Sequence, residues 1–273
     1  MNEITTKLIA FSECEATGKK IATFVLYVPK FIQPHINSHR SLSRNAASSR
    51  AVPAKKMRSR VIKTPFVPVY FGENKAGMAS GEAIKGLRLF VIKRVWLWSR
   101  YVACFFHYIG EKAGLHKEIL NRLIESWIMT EIVLTGTEWA NFLKLRDNQA
   151  AQPEIQVVAK QIINIFESNK PTRLKVGEWH LPFVKAEEKS LDLELQKKIS
   201  AARCARVSYF LFDGKTSTSE SDVKLCEKLS SSGHWSPFEH VAQALGTPER
   251  SGNFVGWKQY RKEFESESGG DYK

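Results

Sequence analysis

The sequence predicts an α+β fold in which an antiparallel sheet packs against long helices. Three observations predict it: two β-rich runs near the start of the chain, a series of amphipathic segments in the middle, and a second helix-rich unit near the end. At 273 residues with 43% hydrophobic content, the chain is long enough to bury a sizeable core. We expect one domain over residues 1–262 and a disordered acidic tail over residues 263–273.

The two N-terminal runs, "TKLIAFSEC" and "KIATFVLYVP", contain the β-branched and aromatic side chains that favour strands. They are separated by "EATGK", in which Gly18 suits a turn, and Pro29 ends the second run. We therefore predict a hairpin at the start of the chain.

The middle of the chain has apolar residues three and four apart, which is typical of helices. The predicted helices are residues 81–109, 116–134, 138–146 and 153–168. The last is the clearest, because Ile155, Val158 and Ile162 form one stripe and Pro153 lies in the first turn. Prolines and glycines over residues 64–81 predict a long ordered loop instead.

The C-terminal unit has predicted helices over residues 192–206 and 219–231, with Gly233 ending the second. A connector over residues 169–190 precedes this unit and contains the short strand-like piece "HLPFV".

The most apolar window is "LRLFVIKRVWLWSRYVACFFHYIG". Lys93, Arg94 and Arg100 interrupt it and would be costly at the centre of a bilayer. We interpret it as a core helix at a subunit contact, with a membrane role as the alternative. The polar first six residues do not resemble a signal peptide, and the four cysteines form no CxxC pair, so we expect a reducing cytoplasm, no disulfide framework and no zinc site.

The positive charge is concentrated in one part of the chain. The formal net charge is +13, and eleven positive residues and no carboxylate lie between Glu15 and Glu73. This cationic segment, residues 19–63, suits either a polyanionic small ligand or a nucleic acid. Serine, asparagine and alanine separate its arginines, whereas stacked aromatics would favour nucleic acid.

Within this segment, "HRSLSRNAASSRAVP" (residues 39–53) combines Arg40, Arg44 and Arg50 with serines and small side chains. Arginine offers a forked donor to phosphate, and a small-residue backbone lets amide groups approach an oxyanion. The stretch is either an anion pocket or a solvated basic linker. Its position between ordered elements favours the pocket.

A second candidate is "TEWANFLKLRDNQAAQPEIQ". On a helix, Arg146 lies one turn from Phe142 and Leu143, so its guanidinium projects beside apolar residues. It needs a partner there, which is either a core carboxylate or a ligand. Asn141 lies one turn back and can present an amide to the same cavity.

A third candidate combines "ARCARVSYF" with "SSGHWSPFEHVA". The Pro-Phe turn separates His234 from His240 in a way that differs from the HExxH pattern, so we expect no metal site. The alternative is a capping box, with Ser236 as N-cap and Glu239 three residues later, but that leaves His234 without a role.

Together, these motifs resemble those of the flavin-dependent thymidylate synthases, which make dTMP from dUMP without a catalytic cysteine. The family's HR and Ser-x-Arg signature is matched by His39, Arg40, Ser43, Ser48 and Arg50. Its arginine helix is matched by Asn141, Phe142, Arg146, Glu154 and Ile155. Its "ARVS" and "PFEH" motifs are matched by residues 205–208 and 234–240.

The order of the motifs differs from the usual family order, in which "ARVS" and "PFEH" come first. The resemblance therefore implies a circularly permuted, bacteriophage-type catalytic domain, with residues 1–190 and 191–262 exchanged. Permutation is compatible with a fold whose termini lie close together at the surface.

The resemblance also implies cofactors, partners and roles. FAD is the cofactor, methylenetetrahydrofolate and NADPH are co-substrates, and the active sites are shared in a homotetramer. Arg146 is the catalytic residue. The implied FAD-binding residues are His39, Arg40, Asn141, Ser208, His234 and Ser236. The substrate-binding residues are Arg44, Ser48, Ser49, Arg50 and Arg146, and we add Gln259 and Arg261.

Several positions depart from the family pattern. Ser38 and Ala46 replace an arginine and a glutamate, and Thr137 and Ala150 replace an arginine and a histidine. We added Gln259 and Arg261 because they could offset the loss at Ser38.

The departures leave three other functions open. The fold could methylate or hydroxymethylate a related nucleotide such as dCMP. The cationic segment could bind nucleic acid, and the chain could be an inactive relative retained for assembly or regulation.

Overall fold

The computed structural model describes residues 3–213 and 217–264, and the side chains of residues 208–213 are not described. The strands are β1 (Thr5–Cys14), β2 (Lys20–Pro29), β3 (Leu42–Ala46), β4 (Met129–Gly136), β5 (Thr172–Leu174), β6 (Trp179–His180), β7 (Ala242–Ala244), β8 (Arg250–Ser251), β9 (Phe254–Val255) and β10 (Trp257–Gln259). The α-helices are α1 (Gln33–Asn37), α2 (Ala54–Lys63), α3 (Gly86–Lys112), α4 (Lys117–Leu120), α5 (Ala140–Arg146), α6 (Pro153–Ser168), α7 (Leu193–Asp213) and α8 (Ser219–Ser231).

The main sheet has five strands in the order β3-β4-β2-β1-β5. The first four pair antiparallel, and β5 runs parallel to β1 at the edge. The predicted N-terminal hairpin is confirmed, with Gly18 at a φ of +65° in its turn. A smaller sheet, β10-β7-β6, and the β8-β9 hairpin complete the architecture, so the predicted α+β class is confirmed.

The main core lies between this sheet and helices α5 and α6. The predicted stripe on α6 is confirmed, because Ile155, Val158 and Ile162 are fully buried in the cluster that also contains Phe24 and Phe142. Burying such side chains contributes roughly 1.5–3 kcal/mol each.

The prediction of one helix over residues 116–134 is wrong. The short helix α4 and a 3₁₀ helix, Asn121–Trp127, are followed by the central strand β4. In "MTEIVLTG" nearly every residue is buried, so the strand shows no period-two alternation and reads like a helix segment. Helix α2 was not predicted either.

The other predicted helices are confirmed in position. Residues 138–146 contain α5, and α8 matches residues 219–231, with Gly233 at a φ of +71° beyond it. Helix α7 continues seven residues past the predicted end at residue 206. Its buried Arg203 pairs with Glu188 at 2.6 Å and with Asp222 of α8 at 2.8 Å.

Helix α3 is not a core helix in the single chain, contrary to our interpretation. Only Arg100, Cys104 and His107 are buried, whereas Trp98 and Phe105 remain 65% and 59% exposed. The helix is apolar around most of its circumference, but one narrow stripe packs against α2 and the Asn121–Trp127 turn. Within the described residues, none of the helices combines the length and hydropathy needed to span a membrane.

Residues beyond 262 partly belong to the folded unit. Glu263 closes a 3₁₀ helix, Tyr260–Glu263, and pairs with the buried Lys197 at 2.9 Å. The Lys197 ammonium also lies over the rings of Trp179 and Tyr260. Residues 265–273 of the predicted tail lie outside the described residues.

Candidate active site

Strand β3 is the element on which the first and third sequence motifs meet. It belongs to the 39–53 stretch, and both α7 and the 3₁₀ turn Ser236–Glu239 contact it. Asn45 on β3 donates a 2.8 Å hydrogen bond to the carbonyl of Cys204, next to the "ARVS" residues. Motifs separated by more than 150 residues are therefore neighbours.

The Arg146 guanidinium lies at the N-terminal end of β3, beside the "HR" pair. Its Nε donates to His39 Nε2 at 2.8 Å, and its second terminal nitrogen donates to Ser38 Oγ at 2.9 Å and the carbonyl of His35 at 3.1 Å. Within the described residues, the partners of the Arg146 guanidinium are an imidazole, a hydroxyl and a carbonyl. None of them is the core carboxylate that the sequence left open as an alternative. Burial and then the charge of Arg146 lower the pKa of His39, so the imidazole is neutral and accepts from Arg146.

Ser38 therefore has a direct structural role. The hydroxyl accepts from Arg146, and an arginine at position 38 would place a second guanidinium at the same point. Gln259 and Arg261 are the residues we expected to offset the loss of an arginine at Ser38. In the structure, Arg146 is the residue that contacts Ser38.

Gln259 and Arg261 contact residues other than Ser38. Gln259 is 1% exposed, and its amide donates to Ser43 Oγ at 3.2 Å and to Asn253 Oδ1 at 2.8 Å. Arg261 forms an ion pair with Glu239 of the "PFEH" turn. Gln259 thus holds Ser43 of the signature, and Arg261 holds the "PFEH" turn.

The predicted flavin-binding residues divide between the surface and the interior. His39 is buried against Phe142, whereas Arg40, Asn141, His234 and Ser236 are exposed. The side chain of Ser208 lies outside the described residues. The capping-box alternative is wrong, because Trp235 is the N-cap and no side-chain cap bond forms.

The predicted phosphate-binding residues lie beyond the other end of β3. Ser48 is half-buried, Ser49 donates to Glu125 at 2.9 Å, and the exposed Arg50 pairs with Glu118 at 3.2 Å. Arg44, within β3, donates to its neighbouring carbonyl. At the usual rise of a strand, β3 alone spans about 13 Å, so the predicted phosphate-binding residues and Arg146 lie near opposite ends of this strand.

A chain of buried, hydrogen-bonded polar side chains crosses strands β1, β2 and β4 of the main sheet. The sequence did not predict it. Ser12 and Thr23 bond the two ring nitrogens of His180, each at 2.9 Å; Thr23 bonds Thr135 at 2.7 Å, and Thr135 bonds His240 Nδ1 at 2.8 Å. Burial lowers the pKa of each histidine to about 3. The threonines resemble ordinary strand residues in the sequence, so no local signal identifies them.

None of the cysteines is placed to act as a nucleophile. All four are buried and free of disulfides. Burial raises the pKa of the Cys204 thiol well above its usual range and that of Cys226 to about 12. Because the thiolate is the reactive form, neither thiol is activated.

The cationic segment is not a continuous charged surface. Arg58 pairs with Glu111, Arg50 with Glu118, and Lys30 donates to the carbonyl of Ala47. An open cavity of about 620 Å³ lies along α2, lined by Lys55, Lys56, Arg60, Lys63 and neighbouring residues. It lies apart from Arg146, so we do not assign it to the active site.

A family model described as "thymidylate synthase complementing protein" matches residues 19–172, more than half of the chain. That span contains the "HR" signature and the Arg146 helix, whereas "ARVS" and "PFEH" lie beyond it. No curated protein matches the sequence.

Among solved structures, the chain is similar to a UMP/dUMP methylase, PolB, from Streptomyces cacaoi bound with 5-Br UMP. The TM-score is 0.51 at 18% identity, and the match covers 62% of this chain and 90% of that one. The same methylase bound with 5-Br dUMP gives a TM-score of 0.49 at 19% identity, covering 62% and 91%. The first match shows a shared fold.

Proposed function

The chain belongs to the thymidylate synthase complementing protein family, and on that premise we propose that it methylates C5 of dUMP to give dTMP. Membership supports a methyltransferase-type enzyme acting on a pyrimidine nucleotide. We further propose that methylenetetrahydrofolate supplies the one-carbon unit, that FAD is the cofactor, and that NADPH is the reductant.

The observation that carries the proposal is the placement of Arg146. It is a half-buried cation held by three acceptors, His39, Ser38 and the His35 carbonyl. A fixed guanidinium beside a pyrimidine edge stabilises the negative charge that develops when the ring is activated. Burial lowers the pKa of Arg146 from a very high value, so the group stays charged.

We propose that Ser48, Ser49 and Arg50 bind the nucleotide phosphate, with Arg44 nearby. Arg50 is exposed, and its surface pairing with Glu118 is weak enough to exchange for a phosphate. In this arrangement, Gln259 and Arg261 hold Ser43 and the "PFEH" turn in place and do not touch the substrate.

The exposed donor set fits FAD. Arg40 offers a cation for the pyrophosphate, and His234, Ser236 and Asn141 offer hydrogen-bonding side chains on the surface. His39 and Ser208 complete the proposed set. When bound, FAD supplies the hydride chemistry. The protein's residues bind and orient the two partners and exclude water.

We propose that the active site is completed by a second copy of the chain in a homotetramer. The phosphate residues and Arg146 lie near opposite ends of β3, and in the proposed arrangement one copy supplies the phosphate residues and another supplies Arg146. The exposed face of α3 supplies an apolar surface for that contact, since monomers rarely expose such patches. The changed motif order further supports a permuted, bacteriophage-type member.

A second candidate function is methylation or hydroxymethylation of another pyrimidine nucleotide such as dCMP. Ala46, opposite Ile132 in β3-β4, favours it because it supplies no carboxylate where the family has glutamate. A nucleic-acid-binding function is less well supported, because acidic partners neutralise part of the cationic segment.

The test begins with the flavin absorbance of the purified protein and ends with turnover by Arg146 variants. We expect a yellow protein, and we expect Arg146→Gln to lose at least a hundredfold in turnover while retaining flavin. Lys144→Gln, an exposed change on the same helix, is the matched control and should behave as wild type. A colourless protein that does not take up added FAD contradicts the proposal.

A further inference from the structure

The phosphate turn, Ser49–Ala51, is held by a buried asparagine that belongs to none of the family motifs. The side-chain nitrogen of Asn121 donates to the carbonyl of Ser49 at 2.7 Å and to that of Val52 at 3.0 Å. Asn121 is fully buried. One amide group therefore fixes both ends of the turn.

The direction of the hydrogen bonds in this cluster is fully determined. Arg58 can only donate, so His107 Nδ1 accepts from it at 3.0 Å, and the ring proton lies on Nε2. Nε2 then donates to Asn121 Oδ1 at 3.2 Å, which leaves the Asn121 NH₂ facing the two carbonyls. Glu111 holds Arg58 through an ion pair.

This arrangement sets the orientation of the peptide that follows Ser49. The peptide bonds are trans, so the N–H of Arg50 points opposite to the Ser49 carbonyl, away from Asn121. The Arg50 amide thus has a fixed direction away from Asn121, and the Arg50 side chain is exposed. A turn released from Asn121 would lose this fixed peptide orientation.

We propose that His107 and Asn121 are positioning residues that hold the Ser49–Ala51 turn in the orientation that binds the nucleotide phosphate. The inference rests on the proposed function of Ser48, Ser49 and Arg50. The inference goes beyond that proposed function because it concerns residues outside every matched motif. His107 lies on α3, and Asn121 begins the 3₁₀ helix Asn121–Trp127. Neither side chain touches the nucleotide.

The test compares the affinity of the full-length protein for dUMP with its affinity for deoxyuridine, which lacks the phosphate. We expect wild type to prefer dUMP, and Arg50→Ala to remove most of that preference. Asn121→Asp, which turns a carboxylate oxygen toward the two carbonyls, and His107→Phe should each reduce the preference about tenfold or more. His107→Gln, which keeps a donor for Asn121, should largely retain it.

Two controls separate positioning from general stability. His180→Gln disturbs a different buried histidine, so it should lower the melting temperature but leave the preference for dUMP unchanged. Asn121→Ser, which keeps one donor, replaces Asn121→Asp if that variant does not fold, and it should show an intermediate preference.

The outcomes are distinguishable. If wild type binds dUMP and deoxyuridine equally, or if Arg50→Ala keeps the preference, the proposed phosphate site is wrong. If Arg50→Ala removes the preference while folded His107→Phe and Asn121 variants keep it, the positioning inference alone is wrong. A loss by His180→Gln equal to that of His107→Phe would also overturn it, because the effect would then be general destabilisation.

Discussion

Acidification should destabilise the protein through His180 and His240. Burial lowers the pKa of both to about 3, whereas an unfolded histidine titrates near 6.5. Below that pH the unfolded state binds more protons than the folded state, so the free energy of unfolding falls as pH falls. Above it, the two residues contribute no pH dependence.

The magnitude follows from the size of the shift. Between about pH 7 and pH 5, each histidine lowers the free energy of unfolding by about 2 kcal/mol, and the pair by about 4 kcal/mol. No hydrogen bond at Nε2 would stabilise protonated His240, because this nitrogen is buried without a hydrogen-bond partner among the described residues. A loss of that size is a large fraction of the stability of an ordinary domain.

The assay is equilibrium denaturant unfolding at several pH values, followed by the fluorescence of the seven tryptophans. His240→Gln removes one titrating group and should reduce the loss between about pH 7 and pH 5 by about 2 kcal/mol. The exposed His116→Gln variant is the matched control and should keep the wild-type slope. Equal slopes for wild type and His240→Gln would show that His240 does not contribute to the pH dependence.

Three further predictions concern the ion cluster, the thiols and the exposed helix. Arg203→Met should cost about 3–5 kcal/mol of unfolding free energy, because it leaves the carboxylates of Glu188 and Asp222 without their buried partner; a loss below about 1 kcal/mol in denaturant titration would contradict this. The thiol of Cys204 should react with a thiol reagent only at the rate of unfolding, and rapid labelling of native protein would count against its burial. Phe105→Glu on α3 should shift the protein to a smaller species in size-exclusion chromatography with light scattering and abolish turnover, whereas an unchanged mass would argue against α3 as the subunit contact.

The sequence was sufficient for elements with a strong local signal. The stripe on α6 follows from one periodicity, and the first hairpin follows from β-branched runs around Gly18. Strand β4 was missed because a strand buried on both faces has no alternation, so only its pairing with β2 and β3 distinguishes it from a helix. Pairing is a long-range property that a single segment does not encode.

The candidate site likewise combines residues that the sequence predicted with residues that it did not. Arg146 and His39 were recognised from motif and helical spacing, and the structure places them in contact. The partnership of Arg146 with Ser38 was not predicted, because it depends on how α1 and α5 approach in space. Asn121 carries no local signal either, since an asparagine in a polar segment usually lies on the surface.

Methyl transfer to dUMP can be followed by incubating the reduced, flavin-loaded protein with methylenetetrahydrofolate and dUMP tritiated at C5, then determining the mass of the nucleotide product. We expect release of tritium to water together with formation of dTMP, and a large loss of both with Arg146→Gln. A flavin-loaded protein that releases no tritium from dUMP would contradict the proposed function, and release from dCMP instead would favour the second candidate substrate.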